Sequence, residues 1–357
     1  MKIFVKTYGC TLNQGDTEVI KGILKQGGHK FVDSEKEADI IIVNTCGVKT
    51  VTQNKIIDYL KKISKTKKVI VGGCLPSMID VKRYAPKIAG SFDTNTITKI
   101  NSLVEKPRQI FGKEKESRIN KPRVRTKKEI AIITIAEGCL GKPCTYCSVK
   151  QARGELKSYT KKEILGEVKK AVKEGCTIIK LTAQDTGCWG KDIDEKLPDL
   201  LGEILKTEGN FKIRLGMMNP NHAIEFLDEL IKIYNNPKMI KFIHIPVQSG
   251  SNKVIKDMKR DYKVEDFKKI VKRFRKEVRG INIATDIIAG YPTETEEDFK
   301  KTLELIKEVK PEVLNISKFA PRPKTEAAKL KQLRTEIIKE RSKYLTLEYK
   351  KLQTFSR

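Results

Sequence analysis

No stretch of these 357 residues is apolar for long enough to cross a bilayer, which takes about 20 consecutive apolar residues. The first residues, Met1-Lys2-Ile3-Phe4-Val5-Lys6, also lack the apolar core and small-residue cleavage site of an export leader. Membrane-embedded and secreted classes are set aside, and a cytoplasmic location with no membrane partner is expected. Internal repeats are absent, as is any low-complexity tract outside one basic segment. Acidic residues are scarce beside basic ones: 45 Asp and Glu against 73 Lys and Arg, a net charge of +28. Such a field concentrates polyanions and favours nucleic acid, although a generally lysine-rich surface gives the same count.

What is present suffices for folded cores. Hydrophobic residues make up 39% of the chain, and its length suits two domains. The first 110 residues alternate strand and helix signals. Lys2–Thr7 alternates, Thr17–Gly27 has helical spacing, and Asp39–Asn44 is a β-branched run typical of a strand buried on both faces. Thr50–Ser64 predicts a helix and Lys68–Val71 a strand. Residues 111–129 lose periodicity and are basic, with Pro122, and suit a solvated linker or a phosphate-contacting segment. From Ile130 a second βα series begins, with strands over Ile130–Ala136, Thr177–Thr182, Lys212–Met217, Phe242–Val247, Ile281–Ile288 and Val313–Phe319. Lys161–Glu174 is a helix in that series. Six such units over 130–334 suit a full or partial parallel barrel, and residues 335–357 add a last long helix over Thr335–Phe355.

Eight cysteines in a reducing compartment point to metal ligation or catalysis rather than disulfides. Cys139, Cys144 and Cys147 fall within nine residues, in a Gly- and Pro-containing loop after the first strand of the second series. Soft thiolates so close together suit zinc or an iron–sulfur cluster. A structural zinc would want a fourth ligand nearby, and none is evident. Cys10, Cys46 and Cys74 are far apart, yet each follows an expected strand, so the ends of a parallel sheet can bring them into one crevice. Gly9, Gly47, Gly72 and Gly73 beside them would let backbone approach a bulky group. Cys176 and Cys188 have no matching partners and are assigned to structure.

These motifs, in this order, resemble the methylthiotransferase family of radical S-adenosylmethionine enzymes, over nearly the whole chain. The segments that carry the likeness are Thr7–Asp16, Asn44–Cys46, Gly72–Cys74, the Cys139–Cys147 loop, Ala152–Ser158, Leu181–Gly187, His244–Ser251 and Asp286–Pro292. The opening motif with Asn13 looks most like the archaeal and eukaryotic branch acting on threonylcarbamoyladenosine in tRNA. The resemblance implies an α/β fold: an N-terminal parallel α/β methylthiotransferase domain (1–110) and a partial (β/α)6 radical-SAM barrel (130–334). It implies two [4Fe-4S] clusters, one on Cys139, Cys144 and Cys147 and one on Cys10, Cys46 and Cys74. The first would hold S-adenosylmethionine and, once reduced, cleave it to a radical that takes hydrogen from C2 of the adenine. The second would handle sulfur, and a second S-adenosylmethionine would give the methyl group.

Other roles implied for the cofactor fall on Tyr146, Arg153, Gln184, Asp185, Gly187, Gln248, Ser249, Gly290 and Pro292; Arg153 would meet a cofactor carboxylate or a substrate phosphate. His244 suits a core histidine as readily as a ligand. Implied partners are the tRNA anticodon loop and an electron donor such as ferredoxin or flavodoxin; a monomer is the default. Two features depart from the family pattern: four residues, not three, separate Cys139 from Cys144, and nothing after the last helix resembles the family's RNA-binding β-barrel. If that barrel is missing, the basic surface and linker must hold tRNA. Alternatives are isopentenyladenosine or a ribosomal protein as substrate, a radical enzyme using its N-terminal cluster only for electron transfer, and a non-catalytic zinc protein binding nucleic acid.

Overall fold

The structure, a computed structural model, describes residues 1–47 and 50–354. These form two compact units: Met1–Cys139 with Ser148–Gln184, and Leu140–Cys147 with the chain from Asp185 onward.

In the first unit, six parallel strands lie in the order β2-β1-β3-β4-β5-β6. They are β1 (Lys2–Thr7), β2 (Lys30–Phe31), β3 (Ile40–Thr45), β4 (Lys68–Gly73), β5 (Gly90–Phe92) and β6 (Gln109–Ile110). Period-2 alternation along β3 divides its buried side chains between two cores. Ile40 and Ile42 join Ile3, Val19, Ile20, Phe92 and Leu103 under helices α1 (Thr11–Gln26) and α4 (Ile100–Glu105). Ile41 and Val43 join Ile56, Leu60, Val69 and Val71 under α2 (Thr50–Ile63) and α3 (Val81–Tyr84). Each such isoleucine stabilises the fold by about 1.5–3 kcal/mol through burial, which is why the β-branched run reads so clearly.

Helix α1 starts six residues before the expected helix. Gly15 and Gly22 obscure its pattern, but both are sites of close approach. A Cβ on Gly15 would lie 3.0 Å from Ile132 Cγ2, and one on Gly22 would run into the Pro122 carbonyl. The segment 111–129 is therefore not uniformly solvated. Val124 N donates to Glu18 O at 2.9 Å, and Arg118 and Ile119 are buried. Beyond it come β7 (Ile130–Thr134), a short antiparallel pair β8 (Ala136–Glu137) and β9 (Lys157–Ser158), α5 (Val149–Arg153), α6 (Lys161–Lys173) and β10 (Ile178–Thr182). Thr160 and Glu163 close a capping box at the start of α6, and β10 runs parallel to β7.

The second unit continues the βα series with β11 (Lys212–Leu215), α8 (Pro220–Glu225), α9 (Leu227–Asn235), β12 (Phe242–His244), α10 (Asn252–Asp257), α11 (Val264–Glu277), β13 (Asn282–Ala289), α12 (Glu296–Val309) and β14 (Val313–Lys318), with α7 (Leu197–Leu205) before β11. β12, β13 and β14 form a parallel sheet. The last helix, α13 (Thr335–Thr354), anchors through buried Leu345 and through Arg341, which binds Glu294 Oε1 at 2.6 Å. Phe355, the expected end of that helix, lies outside the described residues. Among the described residues no helix is long and apolar enough to cross a membrane.

Candidate functional site

Cys10 follows β1, Cys46 follows β3 and Cys74 follows β4. Strand order reverses between β1 and β3, with β2 on one side and β4 on the other, and ligands of open parallel sheets bind at such a reversal. Asn13, in the first turn of α1, faces two of the three sulfurs. Its Nδ2 donates to Tyr8 O at 3.0 Å and Thr45 O at 2.9 Å. Its Oδ1 faces Cys10 Sγ at 3.8 Å and Cys74 Sγ at 3.9 Å. Gly9 (φ +121°) has a structural reason to be glycine, because a Cβ there would lie 2.9 Å from Asn13 Nδ2 and 3.0 Å from Cys46 Cβ. Gly72 and Gly73 serve packing: a Cβ on Gly72 would enter the Phe92 ring, and one on Gly73 would meet Asn44 and the Thr45 backbone.

A buried charge network stands beside this triad. Arg153 Nη2 donates to Asp16 Oδ2 at 2.6 Å and to Asn13 Oδ1 at 3.1 Å, and Nη1 lies 3.4 Å from Glu137 Oε2. Arg118 Nε donates to Asp16 Oδ1 at 2.6 Å, while its other nitrogens bind Glu137 and Thr94 O. Burial alone would push the Asp16 carboxyl up, but Arg153 and Arg118 outweigh it and hold it below the usual carboxylate range. Two arginines balance two carboxylates, so the network can be charged and dry. Burial pushes the Cys74 thiol up to about 11 against the pull of Arg153. The sequence placed Arg153 against a ligand; here its carboxylates are protein side chains, and it flanks the N-terminal thiols.

The second thiol set lies on the loop after β8. Cys139 N donates to Gly154 O at 3.2 Å, and Gln184 Oε1 accepts from Gly138 N at 2.6 Å. Gly138 (φ +80°) and Gly141 (φ +64°) take left-handed conformations on either side of Cys139, in the segment before Cys144. Cys147 N donates to Cys144 O at 3.0 Å, closing a turn around Thr145 and Tyr146. That turn is fixed from beneath: Thr145 Oγ1 binds Tyr291 Oη at 2.8 Å and Asp257 O at 3.0 Å. Tyr146 is partly buried against Val254, Met258, Tyr291 and Phe319. Arg260, which sequence reasoning missed, sets Nη1 3.4 Å from Cys144 Sγ and 3.5 Å from Tyr146 Oη. Its other end binds Asn219 and Pro246 O. No local motif marks it, since its contacts are 114 and 116 residues away.

The remaining expected cofactor residues divide. Gln184 stands at the end of β10 and steadies the cysteine loop. Gln248 holds a positive φ of 68° and bridges to Ile287. Ser249 is fully buried, with Oγ 3.4 Å from Thr302 Oγ1 and accepting from Ser251 N at 3.2 Å. A Cβ on Gly187 would sit 2.5 Å from His222 Cβ, and one on Gly290 (φ +79°) 2.6 Å from Ile338 Cγ1. Both glycines thus have packing reasons, and Pro292 lies two residues past Gly290 in the same turn. Asp185 turns inward: Oδ1 accepts from Gly187 N at 2.9 Å and Asn219 N at 3.3 Å. His244 binds Asp286 Oδ1 at 2.9 Å. Cys176 Sγ donates to Lys128 O at 3.3 Å, whereas Cys188 meets His222 Nε2 at 3.3 Å.

The donor chemistry fits iron–sulfur ligation. Two sets of three soft thiols stand on loops, with buried Arg153 beside the first set and half-buried Arg260 beside Cys144 to offset thiolate charge.

Comparison with known proteins is consistent with this chemistry. Residues 2–88 match the model of an uncharacterised protein family, UPF0004, and residues 133–306 match the radical SAM superfamily. A protein of Pyrococcus horikoshii named as a probable threonylcarbamoyladenosine tRNA methylthiotransferase is 43% identical over 97% of this chain and 83% of its own length. The human threonylcarbamoyladenosine tRNA methylthiotransferase is 38% identical over 97% of this chain and 62% of its own. In fold, the chain is similar to a radical S-adenosylmethionine methyltransferase from Kitasatospora setae, with a TM-score of 0.66 at 14% identity, covering 92% of this chain and 75% of that one. Identity and coverage of this extent place the chain plainly: it belongs to the radical S-adenosylmethionine threonylcarbamoyladenosine tRNA methylthiotransferase family.

Proposed function

We propose that this protein inserts a methylthio group at C2 of N6-threonylcarbamoyladenosine-37 in the anticodon loop of cytoplasmic tRNA, using two [4Fe-4S] clusters and S-adenosylmethionine. The observation that carries the reading is the nearness of Cys10, Cys46 and Cys74 to one another, with Asn13 facing Cys10 and Cys74, in a chain that also holds the Cys139/Cys144/Cys147 loop. When bound, a reduced cluster with S-adenosylmethionine supplies a carbon radical able to take hydrogen from an unactivated ring carbon.

The chain's own residues have distinct tasks. Cys139, Cys144 and Cys147 would hold the radical cluster, with Gln184 and Thr145 fixing the loop and Arg260 offsetting thiolate charge at Cys144. Tyr146 and Gln248 are candidates for the cofactor wall. Cys10, Cys46 and Cys74 would hold the sulfur-handling cluster, oriented by Asn13 and Arg153. The excess of basic residues suits tRNA phosphates. Ferredoxin or flavodoxin would supply electrons to a monomeric enzyme. The domains assigned to these tasks are residues 1–110 and 130–334, with 111–129 between them and 335–357 as a last helix.

Nucleoside mass spectrometry on tRNA from cells with and without the protein tests the reading. The methylthio form of threonylcarbamoyladenosine should vanish with the protein, and its persistence overturns the assignment. Cys46→Ala should abolish methylthiolation while S-adenosylmethionine cleavage stays measurable; loss of both overturns the division of labour. Anaerobic reconstitution should give about eight irons per chain, the sum of two four-iron clusters.

A further inference from the structure

Asp185, Cys188 and His222 meet in the second unit with one ligand atom each, all within 4.8 Å of one another, and all three residues are buried. Cys188 Sγ lies 3.3 Å and Asp185 Oδ2 3.8 Å from the same ring nitrogen, His222 Nε2. That shared nitrogen separates two readings. In a hydrolase-like triad the carboxylate takes one ring nitrogen and the nucleophile the other. Here both converge on Nε2, whose one proton or one lone pair serves a single direction. Asp185 Oδ2 has no hydrogen-bond partner, although the residue is 4% exposed. Its position is fixed, because Oδ1 is held by Gly187 N and Asn219 N. On the far side of the ring, Nδ1 faces Glu225 Oε2 at 3.7 Å, the outer carboxylate that metal-bound imidazoles commonly keep.

We propose that Asp185, Cys188 and His222 bind one zinc ion, with water in the fourth position. Ligand atoms around tetrahedral zinc lie about 3.3–3.6 Å apart, given bonds of about 2.3 Å to sulfur and about 2.0–2.1 Å to nitrogen or oxygen. The observed 3.3 and 3.8 Å separations match that scale. Binding releases the Cys188 thiol proton to solvent and gives Asp185 Oδ2 the partner it lacks. The ion ties the 185–188 turn to α8. It thereby steadies Asn219, whose side chain accepts from Arg260, the arginine at Cys144. None of its three ligands belongs to either cysteine triad.

The test uses the full chain, purified anaerobically, reconstituted with iron and sulfide, exposed to equimolar zinc and desalted. The expected result is about one zinc per chain, with X-ray absorption showing one sulfur at about 2.3 Å and three lighter neighbours at about 2.0–2.1 Å. Cys188→Ser and His222→Gln should lose the zinc and keep the iron. Asp185→Asn preserves the Oδ1 contacts and so folds; it should weaken zinc binding tenfold or more at unchanged iron content. Absence of retained zinc, a shell of three sulfurs (zinc seated in a cysteine triad), or variants that keep the metal each overturn the proposal.

Discussion

At the scale of single residues, Gly72 shows how a glycine near a site can serve something else. It was expected to let backbone approach an inorganic group, but the space its missing Cβ leaves is filled by the Phe92 ring. Gly72→Ala should cost about 1–3 kcal/mol by overpacking, read as a lower urea midpoint. Phe92→Leu in the same chain should recover part of that loss, and no recovery would place the strain elsewhere. The six proposed ligand cysteines were legible because motif spacing and strand ends suffice to find them. Arg118 was not, since its partner Asp16 is 102 residues away and a lone arginine in a basic segment carries no signal. Cys188 was set aside for the same reason: His222 lies 34 residues further on.

At the scale of elements, α12 illustrates stability built from a cap. Thr295 and Asp298 close a capping box, and Asp298 also accepts from Ser251 Oγ at 2.6 Å and Lys253 Nζ at 3.3 Å. Burial pushes the Asp298 carboxyl up, but the bonds from Ser251, Thr295 and Lys253 outweigh it and hold it at about 2. A carboxyl whose folded value lies below its unfolded one stabilises at pH above the unfolded value, and that contribution is lost as pH falls toward the folded one. The gap in denaturation midpoint between the wild type and Asp298→Asn should therefore be largest near neutrality. It should shrink as pH falls from about 4 to about 2, and a gap independent of pH would contradict the assignment. Long strands such as β3 were readable from β-branched runs. β5 and β6, three and two residues long, are too short to show a period, and α1 was blurred by glycines whose reason lies in other segments.

At the scale of the whole molecule, the charge of +28 sets how tRNA would be held. Phosphate contacts release counterions, so affinity should fall by about tenfold or more between about 50 and about 200 mM salt. Filter binding across that range measures it, and a flat response would remove charge as the basis of binding. The alternation of strands and helices made the α/β class readable, because each unit repeats a local signal. The buried network of Asp16, Arg118, Glu137 and Arg153 has no such repeat and emerges only when distant segments meet.

That network also sets an order of biosynthesis. Asp16 leaves the ribosome more than a hundred residues before Arg118 and earlier still than Arg153, the two cations that allow it to be buried. A nascent chain of about 110 residues can pair its strands, but the carboxylate on α1 then has no cation and keeps that end of the helix wet. Burial of the Asp16 end of α1 should therefore wait for synthesis well into the next segment. Chains that stall in that interval should be cut within the first turns of α1 more readily than the finished protein.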